Sequence, residues 1–334
     1  MNAPPAGLRA HLPAIENALR AAIGDEDLPV AAACRYVMGW EDLHGRPALA
    51  RGKRIRPALC LYAAGLFGPA NVAMPGACGI ELVHNFSLVH DEVQDHDAER
   101  HGRPTLWALL GTAQAINAGD YLYAKAQQVL LAGEGPVELR LAAWRTLTEA
   151  TTKMIEGQWA DLSFETRDDV SADEYLAMIA GKTGALLGAP LEMGASMAGA
   201  PGEVARALGR WGEAIGLAFQ AHDDYLGTWG DPNLTGKSNT NDIARGKKTL
   251  PVIHALAAPE GALIREIYAR GEVDARAVAE VVDVLNRLGS DDYTRGVAAS
   301  KAAEAAAILD GLELADTVKA ELRGMGEYLV RRDG

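Results

Sequence analysis

The chain has 334 residues, 49% of them hydrophobic and 23% charged, which excludes a disordered, collagen-like or coiled-coil protein and leaves room for a large core. With 32 basic against 45 acidic residues the formal charge is −13, so a nucleic-acid partner is disfavoured and an anionic ligand needs local cations. Cys34, Cys60 and Cys78 are an odd number in alanine-rich stretches, which predicts reduced, buried thiols and a cytoplasmic chain rather than a disulfide framework.

From the N-terminus, Leu8, Leu12, Ile15 and Leu19 recur at the spacing of one helical face. Long helices rich in Ala, Leu and Glu are predicted at 106–132, 138–163, 203–228 and 296–330. Alternating β-branched runs are missing. Gly- and Pro-bearing turns such as Gly68-Pro69, Ala200-Pro201-Gly202 and Gly230-Asp231-Pro232 punctuate a helical bundle, with no long linker and no repeat. The expected organisation is one all-α domain over residues 1–334, with 229–249 as its most polar and least helical loop. No membrane span is expected, because the uncharged run Pro104–Gly119 stops short of about 18 residues. The first residues lack a basic region leading into an apolar core, so no secretory signal is expected either.

The chemistry-bearing residues come in the same chain order. Gly52-Lys53-Arg54-Ile55-Arg56-Pro57 concentrates positive charge beside a glycine. Asp91 and Asp95 are four apart, so on a helix they project from one face about a turn from each other. Such a pair suits a hard cation that completes its shell with water and substrate phosphate, although an isolated acidic pair also fits a solvated helix face. Arg100-His101-Gly102-Arg103 and Lys182-Thr183-Gly184 are further basic, glycine-bearing segments. Gln220, Asp223 and Asp224 interrupt an apolar helix through Ile215, Leu217 and Phe219, a setting in which carboxylates seldom stand unpaired. Gly236-Lys237 and the run Asp242 to Lys248 close the series. Two acidic pairs among basic segments in an acidic chain point to a site for two polyanions bridged by metal.

Taken together in order, GKRIRP, HNFSLVHDEVQD, ERHGRPT, AGDYL, the Gln158 to Asp161 segment, GKTGALLG and FQAHDDYLGTWG with its basic continuation resemble the trans-type isoprenyl diphosphate synthases from Lys53 to Lys248. The likeness is strongest to bacterial short-chain members that make geranylgeranyl or farnesyl diphosphate. It implies a helical bundle of the isoprenoid synthase type with a central active-site cavity, working as a homodimer. It also implies condensation of isopentenyl diphosphate with allylic diphosphates, with three Mg²⁺ ions per site. Asp91, Asp95 and Asp223 are then the metal ligands, supported by Asp224 and Asp242. Arg100, Lys182 and Lys237 match positions contacting the allylic diphosphate, and Thr183 and Gln220 match polar positions near the allylic cation. Lys53, Arg56 and His84 match the isopentenyl diphosphate site, with His101 where a second arginine is usual and Lys247 among the substrate-binding positions. Ser87 and Phe86 match the positions whose bulk sets product length, and the small Ser87 leads to a C20 product, with C15 next.

Three departures accompany the resemblance. Glu92 replaces an aspartate, Gly227 replaces the third acid of the second motif, and His101 replaces an arginine. His101 is the feature that favours a terpene cyclase with a decayed second site, against which Lys53, Arg56 and His84 argue. A non-catalytic subunit would lose an acidic cluster, and both are present. His90-Asp91 and His222-Asp223 resemble a His-Asp metallophosphohydrolase, a reading that gives the basic segments no role.

Overall fold

The computed structural model describes residues 4–48, 52–231, 240–271 and 273–330. The first part of the chain forms α1 (Ala6–Arg9), α2 (Leu12–Ile23), α3 (Pro29–Val37), α4 (Ile55–Gly65), α5 (Met74–Gln94) and α6 (Leu106–Leu110). It continues through α7 (Thr112–Ala132), α8 (Val137–Phe164), α9 (Ala172–Ile179), α10 (Ala185–Met197) and α11 (Gly202–Trp229). Further helices span Asn241–Ala244, Leu250–Leu256, Ala262–Ala269, Ala275–Arg287, Ser290–Asp310 and Asp316–Val330. Among the described residues the one sheet is an antiparallel hairpin of β1 (Glu99–Arg100) and β2 (Arg103–Pro104).

The helices expected at 138–163 and 203–228 form with one more residue at each end. Two others are interrupted. The expected helix 106–132 breaks at Gly111, whose φ of +83° is incompatible with helix and whose N–H closes α6 on the Trp107 carbonyl at 2.8 Å. The expected helix 296–330 is two helices, ending at Asp310 before Gly311 and restarting at Asp316. Leu8, Ile15 and Leu19 are buried as their spacing predicts, but the chain steps between Arg9 and Leu12, and Pro13 occupies the first turn of α2 where its missing N–H costs nothing. Part of the polar loop expected at 229–249 lies outside the described residues. By length and composition alone residues 70–94 could cross a membrane, but 72% of the relevant window is buried in protein, as in a core helix.

The chain divides into two compact units, one of residues 6–151 and 189–206 and the other of 1–5, 152–188 and 207–334. In the first, α5 packs along α4 and α7 and is buried almost continuously from Gly76 to Val83, the pattern of a helix surrounded by others. Its cysteines are free and buried, and burial pushes the Cys34 thiol up to about 12. In the second, one cluster joins Phe164, Tyr175, Ile179, Leu217 and Leu250, and another joins Ile243, Ile264 and Val281. A capping box of Ser171 and Glu174 starts α9, each side chain meeting the other residue's backbone N–H.

Candidate active site

In the first unit the acidic motif occupies the C-terminal end of α5. Asp91 lies in its last turn, and Asp95 is the capping residue, donating its N–H to the Asp91 carbonyl at 2.7 Å. Asp95 is exposed and Asp91 half-buried, whereas Glu92 turns inward and is 8% exposed. Burial pushes the Glu92 carboxyl up to about 7, opposed by the Arg100 guanidinium at 3.8 Å and reinforced by Asp91 and Asp97. Carboxylates at a helix C-terminus face the negative end of its dipole, where cations are favoured. The end of α5 therefore fits a divalent cation. Among the described residues no group of three or more His, Cys, Asp or Glu side chains is placed to hold a metal alone. The fit is to a cation shared with ligand phosphates, and the His-Asp reading finds no such cluster there.

Seven residues earlier on α5, His84 meets Arg56 of α4, with Nε2 and Nη1 3.2 Å apart. Lys53 is exposed nearby in sequence, while Arg54 turns inward. Ser87 is buried and donates its hydroxyl to the His84 carbonyl at 2.8 Å. Phe86 is buried between His90 and Tyr123, at centroid distances of 4.9 and 5.4 Å. Arg100 is half-buried in β1. His101 and Gly102 form the two-residue turn of the hairpin with φ of +51° and +71°, as a mirror-image type I turn requires. Histidine tolerates this left-handed region better than most residues, which gives His101 a conformational reason to stand there. Arg103 does not take over the missing charge: it stacks 4.3 Å over Tyr36 and donates to that residue's carbonyl at 3.3 Å.

In the second unit Lys182 and Thr183 lie on a π-helical turn, Ala180–Gly184, between α9 and α10. Such single turns re-aim side chains within otherwise regular helices. The turn presses on α8 where Gly157 has no side chain; a Cβ there would stand 2.4 Å from the Lys182 nitrogen and 2.7 Å from the Met178 carbonyl. This close approach accompanies an ion pair between Lys182 and Asp161, one turn further along α8. Thr183 donates its hydroxyl to Gln220 Oε1 at 3.2 Å, and Gln220 Nε2 donates to Asp224 Oδ1 at 3.1 Å. The other Asp224 oxygen accepts the Tyr175 hydroxyl and, at 3.1 Å, the Leu250 N–H. Asp224 is 4% exposed, and burial pushes its carboxyl up to about 7 against the pull of these three donors, while Asp223 beside it adds to the rise. Its oxygens are engaged by protein. Asp223 is exposed.

Asp242 stands against the gap left by the departing third acid. Its Oδ2 lies 3.4 Å from where a Gly227 Cβ would be, and Gly227 is four residues beyond Asp223 on α11. A carboxylate thus flanks α11 at position 227, where the helix itself supplies none. Lys247 is exposed and donates its N–H to the Asp242 carbonyl at 2.8 Å. Lys248 is buried and caps the end of α8 through the Phe164 and Glu165 carbonyls at 2.9 and 3.0 Å. Lys237 lies outside the described residues. Asp161 and Tyr175, absent from the expected site residues, are drawn in by Lys182 and Asp224. The sequence signal for the first was the Gln158 to Asp161 segment within the family resemblance, and for Tyr175 there was none beyond its apolar spacing.

Residues 45–285 match the family model described as Polyprenyl synthetase. The chain belongs to this family. Among relatives of the polyprenyl synthetase, the (2E,6E)-farnesyl diphosphate synthase of Mycobacterium tuberculosis is 42% identical over 306 residues, 89% of this chain and 84% of that protein. The geranylgeranyl diphosphate synthase of Methanosarcina mazei is 38% identical over 285 residues, 85% of this chain and 87% of its own length. A crystal structure of a polyprenyl synthetase from Streptomyces coelicolor superposes with a TM-score of 0.90 at 37% identity, covering 97% of this chain and 99% of that one. The family and the all-α isoprenoid synthase fold expected from the motifs are borne out, and with them the expectation of a prenyltransferase.

Proposed function

We propose that this polyprenyl synthetase is a short-chain trans-prenyltransferase that condenses isopentenyl diphosphate with allylic diphosphates, giving mainly the C20 geranylgeranyl product and C15 farnesyl diphosphate next. The observation that carries the reading is the division of labour along α5. Its C-terminal end bears Asp91 and Asp95, suited to a diphosphate held through cations, while His84, paired with Arg56, lies about 10 Å earlier along the axis at ~1.5 Å per residue. A cyclase needs only the first device; a condensing enzyme needs a place for two diphosphates. The turn at His101 and Gly102 gives this histidine a conformational reason to stand there besides a decayed second site, which weakens its support for a cyclase.

Asp91 and Asp95 would hold two Mg²⁺ ions and Asp223 a third, with Asp242 flanking it. Bound Mg²⁺ supplies the positive charge that stabilises diphosphate as it leaves. Arg100, Lys182 and Lys237 neutralise the same group, and Lys53, Arg56 and His84, with His101 and Lys247, bind and orient isopentenyl diphosphate. Once the allylic C–O bond ionises, the Thr183 and Gln220 dipoles face the cation without offering a strong nucleophile. The isopentenyl π bond attacks that cation, and the released diphosphate accepts the final proton. The buried Asp224 fixes Gln220 and is a positioning residue in this reading.

The whole chain, 1–334, acts as one synthase domain and pairs as a homodimer. Exposed Leu141, Trp144, Ile155 and Trp159 run along one side of α8, with Trp159 77% exposed, more apolar surface than a lone helix leaves in water without a partner. The three free, buried cysteines support a reducing, cytoplasmic compartment. The test is product analysis of purified protein with Mg²⁺, isopentenyl diphosphate and each of the C5, C10 and C15 allylic diphosphates. Geranylgeranyl diphosphate from all three supports the proposal; hydrocarbons, or no product, overturn it.

A further inference from the structure

We propose that Arg54, the middle basic residue of the Gly52 to Pro57 segment, binds no phosphate and instead positions Lys53 and Arg56 for isopentenyl diphosphate. The inference rests on the function proposed above for those two residues. Lys53 is exposed and Arg56 half-buried, but Arg54 is 4% exposed. Each of its guanidinium nitrogens is committed to protein: Nε donates to Glu16 Oε1 at 2.8 Å, Nη1 to Glu81 Oε1 at 2.9 Å and Nη2 to the Met38 carbonyl at 2.8 Å. The acceptors are themselves fixed. Trp40 Nε1 donates to the other Glu16 oxygen at 2.7 Å, and Asn85 Nδ2 donates to Glu81 Oε1 at 3.2 Å and to the Glu81 carbonyl at 2.8 Å. Between two glutamates, Arg54 has no surplus charge to offer an anion.

The backbone explains why such a clamp is built there. Arg54 has φ +49° and ψ 39°, a left-handed conformation that residues with side chains rarely adopt, and it is the capping residue of α4. That conformation turns the chain between Lys53 and the first turn of α4, which carries Arg56. The clamp also sets register with α5. Glu81, His84 and Asn85 are spaced i, i+3 and i+4, so one face of α5 holds Arg54 through Glu81 and meets Arg56 through His84. Buried arginine–carboxylate groups contribute little net stability but are well suited to fixing one register. A lysine cannot reproduce the three-way fork, because it offers a point charge on a flexible stem.

The experiment is steady-state kinetics of wild type, Arg54→Lys, and the combined Glu16→Gln, Arg54→Met, Glu81→Gln variant, which removes all three charges at similar volume. Each substrate is varied with the other saturating, and thermal unfolding is measured alongside. Wild-type condensation establishes the underlying reading; its absence would defeat that reading and this inference with it. For both variants the KM for isopentenyl diphosphate rises about tenfold, while the allylic KM stays within about twofold and kcat at double saturation within about threefold. A merely structural role would lower the unfolding temperature without separating the two KM values. Unchanged isopentenyl KM, or equal rises in both, overturns the proposal. Glu81→Gln, which keeps Arg54, gives the same split at about threefold and serves if Arg54→Lys does not fold.

Discussion

The acidic segment that closes α5 and the one within α11 look alike in sequence, yet the protein uses their oxygen atoms differently. At the end of α5, Asp91 and Asp95 reach solvent a turn apart, on a helix end whose dipole favours cations. In α11 only Asp223 does so. Asp224, its neighbour, is enclosed under Tyr175, Gln220 and the Leu250 N–H. A pair of adjacent acids is therefore not a pair of ligands: burial and donors decide which carboxylate meets a metal and which holds other side chains in place.

Substitutions can break this contrast at either end. The largest effect belongs to Asp91→Ala and Asp223→Ala, each lowering turnover at least about a hundredfold with helical content unchanged by circular dichroism. Retention of more than about a tenth, only ~1.4 kcal/mol of barrier, would contradict the metal assignment. Gly157→Ala comes next, because its Cβ meets backbone at 2.4 and 2.7 Å and must displace the turn that carries Lys182. Urea unfolding should show a loss of ~2 kcal/mol, and kcat should fall with it. Tyr175→Phe sharpens the contrast within α11: one donor to Asp224 is lost, so kcat drops about tenfold through a loosened Gln220 while both KM values change little. An unchanged kcat would separate Asp224 from catalysis. The smallest effect is at the hairpin, where His101→Arg should lower the KM for isopentenyl diphosphate about threefold and leave the allylic KM alone. Identical KM values would show that His101 serves the turn alone.

Long periodic segments were legible: α8 and α11 fall within one residue of their expected ends because apolar spacing over many turns has one helical solution. Gly111 was visible as a letter, but its effect depended on a backbone angle that composition does not determine, and Gly311, with φ −74° and ψ −9°, ends its helix without any special angle. The π turn at Ala180–Gly184 leaves no mark on periodicity. The motif residues were legible by type and order. What separates them is tertiary: Tyr175 lies 49 residues from Asp224, and Arg54 is set apart from Lys53 and Arg56 by facing Glu16 and Glu81. Spacing along one helix cannot report partners supplied by another.

The most direct measurement is the Mg²⁺ concentration giving half-maximal turnover in wild type, Asp223→Asn and Asp224→Asn. If Asp223 holds metal and Asp224 holds Gln220, the first substitution raises that concentration about tenfold or more, while the second leaves it within about twofold and lowers kcat instead. Equal shifts in the two variants, or a larger one for Asp224→Asn, would contradict the account.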